Sequence, residues 1–339
     1  MLALWCCLAV LTTGLASGQP HADEVPAGAG ALGVVPTEAP VQRAAEQWTI
    51  PNDVLTALRS VTTQSIGVRI DVATRPFLAR PYTNDAAGEG EGPDLDAPAR
   101  YETFDCMTFI EEALGLVLAG DPLDAPMIRD ALRYDGAPAY PTRNHFMESQ
   151  WIPRAIANGL LVDITDKVGQ ARTVEKEVTL DVWKNWRRRK LFALPDLALP
   201  IGGWRLRYLD LAQAVEAAGR IPAGAVVVTL RAPRTWSPII TTHISLVVPG
   251  PAEPLMRHAT RMGKQNVRDD RLSWYMAHLR DYVNWPALGV MVLYPVEQGP
   301  RVSRLLPLPY PNSPFPDAVG DAPHFEPQPI PPLADDPVE

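Results

Sequence analysis

The sequence predicts an α+β fold built on an antiparallel sheet, and three features point there. Helical periodicities occupy the first half of the chain, and β-branched runs follow in the second. Strands and helices do not alternate one for one, as a parallel sheet would require. The 339 residues are 46% hydrophobic, enough for one large core. The formal net charge of -8 leaves no basic footprint for a nucleic-acid partner.

The chain opens on an apolar block, Leu2 to Ala16, followed by the small residues Ser17 and Gly18. This pattern predicts a cleaved export signal over residues 1–18, although the α-amino group is the one positive charge ahead of it. The block is shorter than the roughly 20 residues a spanning helix needs. No transmembrane segment is expected once it is removed, and the mature protein is expected in the periplasm or outside the cell. An Ala-, Gly- and Pro-rich flexible leader over 19–45 comes next, and then the main domain over 46–300.

Within that domain, Val54, Leu55, Leu58 and Val61 give a helix from Asn52 to Val61, capped by Asn52 or Asp53. A second helical run, Ile66 to Leu78, is ended or kinked by Pro76. A polar, Gly-rich loop from Asn84 to Pro93 follows. Ile110, Ala113, Leu114 and Val117 then predict a helix starting at Cys106, with Asp105 as N-cap and Gly120 as stop. Glu111 and Glu112 are expected to point away from its packed face. Glu148 to Asn158 reads as a helix stopped at Gly159, and Leu160 to Thr165 as a short strand. The basic run Arg187 to Lys190 reads as a solvated surface. Strands are predicted at Ala225–Leu230, His243–Val248, Leu255–Thr260 and Gly289–Tyr294, with a helix from Asp270 to Tyr282. Eleven of the last 35 residues are proline, so residues 301–339 are expected to form an extended, disordered tail.

Removal of the export signal would take Cys6 and Cys7 with it and leave Cys106 as the single cysteine, excluding an internal disulfide. An average lone cysteine is a small core hydrophobe. A thiol in the first turn of a helix is different, because the positive end of the dipole favours thiolate. A cysteine nucleophile also needs a base and a group that fixes the base's tautomer. His243 opens one predicted strand and His258 ends the next. They are 15 residues apart across the turn Pro249-Gly250-Pro251, so antiparallel pairing would set the two imidazoles side by side. One strand histidine is more often structural than catalytic, but two beside each other suit the chemistry of Cys106. His278 reads as a surface or packing residue, His145 is ambiguous, and His21 and His324 fall in the leader and the tail. There is no His-Glu-x-x-His spacing of the zinc-hydrolase kind, and no metal or cofactor is implied.

Phe104-Asp105-Cys106, Thr242-His243-Ile244 and His258, in that order, resemble the NlpC-type papain-like cell-wall cysteine hydrolases. Leu78-Ala79-Arg80-Pro81-Tyr82 is similar to the segment carrying that family's tyrosine. Within the superfamily the chain most resembles the N-acetylmuramoyl-L-alanine amidase-like branch, through Thr108-Phe109-Ile110-Glu111, Arg143-Asn144-His145-Phe146, Trp151-Ile152-Pro153, Gly159 and His258-Ala259-Thr260. The likeness covers roughly residues 50–296. It departs at Gly224-Ala225, where the superfamily usually has Gly-Asp, and in the 137-residue gap from Cys106 to His243, which suits the branch and not the minimal domain.

The resemblance implies a papain-like fold, with the nucleophile helix packed on an antiparallel sheet and helical elements inserted. It implies a Cys106–His243–His258 site, with Tyr82, Asp105, Arg143 and His145 contacting substrate. The implied reaction is hydrolysis of the amide between N-acetylmuramic acid and L-alanine, in peptidoglycan or its fragments. The alternatives are an endopeptidase cutting after γ-D-glutamate and, further off, a non-catalytic wall-binding protein on the same fold.

Overall fold

The computed structural model describes residues 50–298. The expected export signal, leader and tail, with residues 46–49 and 299–300 of the expected domain, lie outside them. Helix α1 (Asn52–Arg59) buries Val54 and Leu58, and α2 (Ile66–Thr74) buries Ile66, Ile70 and Ala73. The second run closes in a 3-10 turn over Arg75–Phe77, as Pro76, which has no N–H to continue an α-helix, dictates.

Helix α3 (Cys106–Leu118) is buried along almost its whole circumference, and α4 (Ala125–Arg133) packs beside it. Gly115 permits that approach, since a Cβ there would sit 2.8 Å from the Ala125 carbonyl oxygen. The expectation that Glu111 and Glu112 point away from the packing is corrected here, because both are buried. Their face of α3 is covered by α4, which brings two arginines to meet them. Arg133 Nε donates to Glu111 Oε2 (2.7 Å), Arg129 Nη1 to Glu112 Oε1 (3.2 Å), and Trp151 Nε1 to Glu111 Oε1 (3.1 Å).

A π-helical turn over Met147–Trp151 leads into α5 (Ile152–Ala157), then β1 (Leu161–Asp163) and α6 (Thr165–Val168). Next come β2 (Arg172–Val178), α7 (Leu180–Asn185), β3 (Gly202–Asp210) and α8 (Leu211–Ala217). The β2–β3 pair has no counterpart in the sequence reading. Arg172-Thr173-Val174-Glu175-Lys176-Glu177-Val178 buries only Val174 and Val178, so it lacks the apolar run that marks a strand.

The rest of the sheet is β4 (Val226–Arg231), β5 (Thr241–Val248), β6 (Leu255–Thr260), β7 (Asn266–Arg271) and β8 (Ala287–Pro295), with α9 (Leu272–His278) between the last two. The predicted helix from Asp270 is corrected, since it starts at Leu272 and Asp270 belongs to a strand. Asn266 to Arg271 pairs residue for residue with β6, and this ladder outweighs the low strand propensity of its charged residues.

The described strands form one sheet in the order β2-β3-β8-β4-β5-β6-β7, with β1 also on β8, and every pair is antiparallel. The α+β class with an antiparallel sheet is therefore the observed one. Strand alternation feeds two cores. Val226, Val228, Ile244, Leu246 and Ala259 join the core shared with α1 to α5. Val227, Val247, Met256 and Val292 join the core under α8 and α9. No helix among the described residues is long and apolar enough to cross a membrane.

Beyond β7 the chain from Ala79 to Tyr82 extends the sheet. Ala79 N–H donates to the Val267 carbonyl and Val267 N–H to that of Arg80, both at 2.8 Å. Tyr82 N–H reaches the Gln265 carbonyl at 2.8 Å, and Phe104 N–H that of Pro81 at 3.1 Å. This ladder delivers the backbone to the start of α3.

Candidate active site

Asp105 fixes that start. Its Oδ1 accepts from the N–H groups of Met107 and Thr108, each at 2.8 Å, while the Thr108 hydroxyl accepts from Asp105 N–H at 3.0 Å. This reciprocal cap satisfies donors that a helix N-terminus otherwise leaves unpaired. Asp105 Oδ2 also accepts from Ala86 N–H at 3.3 Å, tying the preceding loop to the helix. Cys106 is the first residue of α3 and fully buried.

On the sheet, Thr229 pairs with His243 but Leu230 with Thr241, so Thr242 is the extra residue of a bulge. A bulge re-aims the side chain beside it, here His243. Its Nε2 lies 2.7 Å from His258 Nδ1, the rings nearly perpendicular with centroids 4.9 Å apart. The pairing leads further. His258 Nε2 is 3.0 Å from Asp270 Oδ2, and the same oxygen accepts from Arg268 Nε (3.0 Å) and Nη2 (2.8 Å). Tyr275 of α9 stands against both rings and shares a 2.9 Å hydrogen bond with Thr229 Oγ1.

Burial holds His243 well below the ordinary imidazole range, with His258 and Arg231 pushing the same way. Burial also lowers His258, against the opposing pull of Asp270. Burial alone would raise Asp270, but hydrogen bonds from His258 and Arg268 outweigh it and hold the carboxyl below its usual range. At neutral pH both imidazoles are therefore neutral and Asp270 is ionised.

The hydrogen-bonded path from α3 reaches the same end of the sheet. Tyr82 bridges Phe104, Pro81 bridges Asn266, and Asn266 pairs with Thr260. Thr260 ends β6 at the edge where antiparallel β5 begins. Cys106 arrives from one face and the histidine pair lies on the α9 face.

Arg143 is engaged by acidic side chains. It donates from Nε and Nη2 to Glu89 (2.8 and 2.7 Å) and from Nη2 to Asp94 (2.8 Å), with Asp85 at 3.5 Å from Nη1. This cluster abuts the Asp105 cap through Ala86, next to Asp85. His145 lies in a separate aromatic group. Its Nε2 donates to the Tyr140 carbonyl (2.7 Å), and its ring packs on Tyr140 and Phe192. Burial lowers it to about 4, leaving it neutral and uncharged toward any anionic ligand. His278 stacks on Trp274 and bonds Asp281. Among the described residues no three His, Cys, Asp or Glu side chains gather into a metal-ligand set.

Asp270 is the member of the site that the sequence reading missed. Its signal was the alternation Arg268-Asp269-Asp270, which puts Arg268 and Asp270 on one face of a strand and not on a helix.

The fold and this site define an α+β protein with a capped cysteine and a buried imidazole pair. The chain belongs to the AmiA-like, N-acetylmuramoyl-L-alanine amidase-like family, whose model matches residues 72–281. Solved structures share the fold. A Legionella pneumophila protein superposes with a TM-score of 0.62 at 20% identity, covering 76% of this chain and 95% of its own. An N-acetylmuramoyl-L-alanine amidase from Bacteroides uniformis gives 0.52 at 18% identity, covering 71% and 98%. A putative xylanase from Bacteroides fragilis gives 0.51 at 19% identity, covering 65% and 98%. A search of curated proteins finds no match.

Proposed function

We propose that the chain is an exported cysteine amidase with a papain-like, NlpC-type domain over residues 46–300, between a cleaved export signal and leader and a proline-rich tail. It hydrolyses the amide between N-acetylmuramic acid and L-alanine in peptidoglycan or muropeptide fragments. The observation that carries this reading is the buried His243–His258 contact of 2.7 Å in a family member whose one described cysteine opens a capped helix.

In this reading the Cys106 thiol meets His243 at the end of the sheet, where α3 and β5 both begin. His243 takes the thiol proton as the sulfur attacks the amide carbonyl, then gives it to the departing amine. Water hydrolyses the thioester. The Cys106 N–H and, by family resemblance, Tyr82 stabilise the oxyanion. Asp105 holds the nucleophile helix. Arg143 and His145, both engaged within the fold, shape the substrate wall and do not pair directly with charge on the substrate.

The test is digestion of a defined muropeptide by wild type and by Cys106→Ala, with products identified by mass. Release of a stem peptide beginning with L-alanine, lost in the variant, is the expected result. A dipeptide product would move the assignment to the γ-D-glutamyl endopeptidase. Activity that survives Cys106→Ala or a thiol alkylating agent, but not EDTA, would remove the cysteine mechanism.

A further inference from the structure

We infer that Asp270 is a positioning residue whose carboxylate, pinned by Arg268, sets the tautomer of both histidines and so decides which nitrogen of His243 faces the reaction. The proposal rests on the reading that His243 is the base for Cys106. It goes beyond that reading by adding a carboxylate to the Cys–His–His site.

Asp270, His258 and His243 form one hydrogen-bonded chain whose protons can be counted. An ionised carboxylate has no proton to give, so Asp270 accepts. His258 Nε2, 3.0 Å away, must then carry the N–H. In a neutral ring this leaves the lone pair on His258 Nδ1. That lone pair is 2.7 Å from His243 Nε2, so His243 Nε2 in turn carries the N–H and donates. The lone pair of His243 is thereby assigned to Nδ1. A base needs a lone pair toward the thiol, and the carboxylate supplies it from two rings away.

The opposite arrangement fails at the carboxylate. With the proton on His258 Nδ1, a bare Nε2 lone pair would face Asp270 Oδ2 across 3.0 Å. Arg268 cannot relieve this contact by turning, because its Nε and Nη2 both bind the same oxygen and hold the carboxylate in place. The groups facing the relay from other elements are Arg231 on β4 and Tyr275 on α9. Asp269 faces the other way, onto Arg257.

Asp270→Ala is the informative change, because it removes the one oxygen that His258 Nε2 and Arg268 share. With no acceptor at His258 Nε2, neither ring is held to its Nε2–H form. Asp270→Asn is the matched control, since an amide oxygen held by Arg268 in the place of Oδ2 still accepts from His258 Nε2.

The experiment is nitrogen NMR of the imidazoles in full-length protein at neutral pH, without substrate, in wild type, Asp270→Ala and Asp270→Asn. Wild type and Asp270→Asn are expected to show both rings protonated at Nε2, and Asp270→Ala a mixture in which the Nδ1–H forms appear. Asp270→Ala should lose about 100- to 10,000-fold in kcat, the range a general base contributes, with KM little changed, and Asp270→Asn should keep most of the activity. A wild-type His258 protonated at Nδ1 would overturn the proposal, and this measurement stands if a variant does not fold. Unchanged tautomers in a folded Asp270→Ala variant would overturn it as well. Expected tautomers in a wild type that cuts no muropeptide would refute the amidase reading and leave the relay intact.

Discussion

Replacing Arg133 by Met should destabilise the protein by an amount that depends on pH. The Arg133 guanidinium donates to Glu111 Oε2 at 2.7 Å and to the Pro98 carbonyl at 2.6 Å, and both side chains are buried. Around them lie Glu112, Asp130 and Arg129, with Arg129 bonded to both of these carboxylates. Methionine fills similar space and leaves Glu111 its bond from Trp151 but no opposing charge of its own. Breaking a buried pair in this way costs about 3–5 kcal/mol. Burial already raises the Glu111 carboxyl, with Arg133 opposing, so the variant raises it further. An acid whose folded pKa lies above its unfolded value loses stability as pH rises. Glu111 can escape the penalty by binding a proton, at about 1.4 kcal/mol per pH unit. Urea denaturation at several pH values between 5 and 8 should therefore show a loss that is largest at the alkaline end and shrinks toward pH 5. Adding Glu111→Gln should restore most of the loss at pH 7, since removing both charges of a buried pair is often close to neutral. A loss below about 1 kcal/mol, the value of an exposed pair, or one that is flat with pH would refute the argument.

Two smaller changes test the supports of the site. Asp105→Ala should cost about 1–2 kcal/mol through the lost cap, whereas Asp105→Asn, which keeps an acceptor for Met107 and Thr108, should cost less than half of that. Equal losses in chemical denaturation would mean that the cap bonds are not what Asp105 contributes. Glu148 is buried and accepts from Ile240 N–H at 3.0 Å and from the Thr241 hydroxyl, and burial pushes its carboxyl up to about 7 from 4.5. The raised value means that this group removes stability as pH climbs from about 4.5 to 7, by about 3 kcal/mol in all. Glu148→Gln should flatten that slope, and an unchanged slope would show that another group titrates.

The parts of this protein legible in the sequence are those where residue type and period agree. Ile110, Ala113, Leu114 and Val117 marked α3, Asp105 marked its cap, and the apolar runs marked β4, β5, β6 and β8. The turn between His243 and His258 was short enough to predict their strands as neighbours. What stayed hidden was written in charge. Asn266 to Arg271 carries two arginines and two aspartates, so β7 read as the approach to a helix, and Asp270 was lost with it. Glu111 and Glu112 read as solvent-facing because nothing local announces that Arg129, 17 residues beyond Glu112, and Arg133, 22 residues beyond Glu111, will meet them. In each case a buried charge is legible only together with its partner, and the partner is set by tertiary packing.

The same logic explains how one stretch of sheet serves two purposes. Arg257 and His258 are consecutive, as are Asp269 and Asp270, so strand alternation sends each pair to opposite faces. On one face Arg257 binds Asp269 through Nε (2.7 Å) and Nη2 (2.8 Å) and reaches across to α2, donating from Nη1 to the Asp71 carbonyl (2.8 Å) and to Thr74 Oγ1 (2.9 Å). On the other face His258 meets Asp270 at 3.0 Å and His243 at 2.7 Å. The first contact locks the sheet to the helical layer that contains α3, and the second orients the imidazoles on that locked sheet. A one-residue slip between β6 and β7 would exchange the two faces and destroy both contacts together. Register errors are thus penalised by two buried arrangements at once, which ties the integrity of the histidine pair to the packing that holds α3.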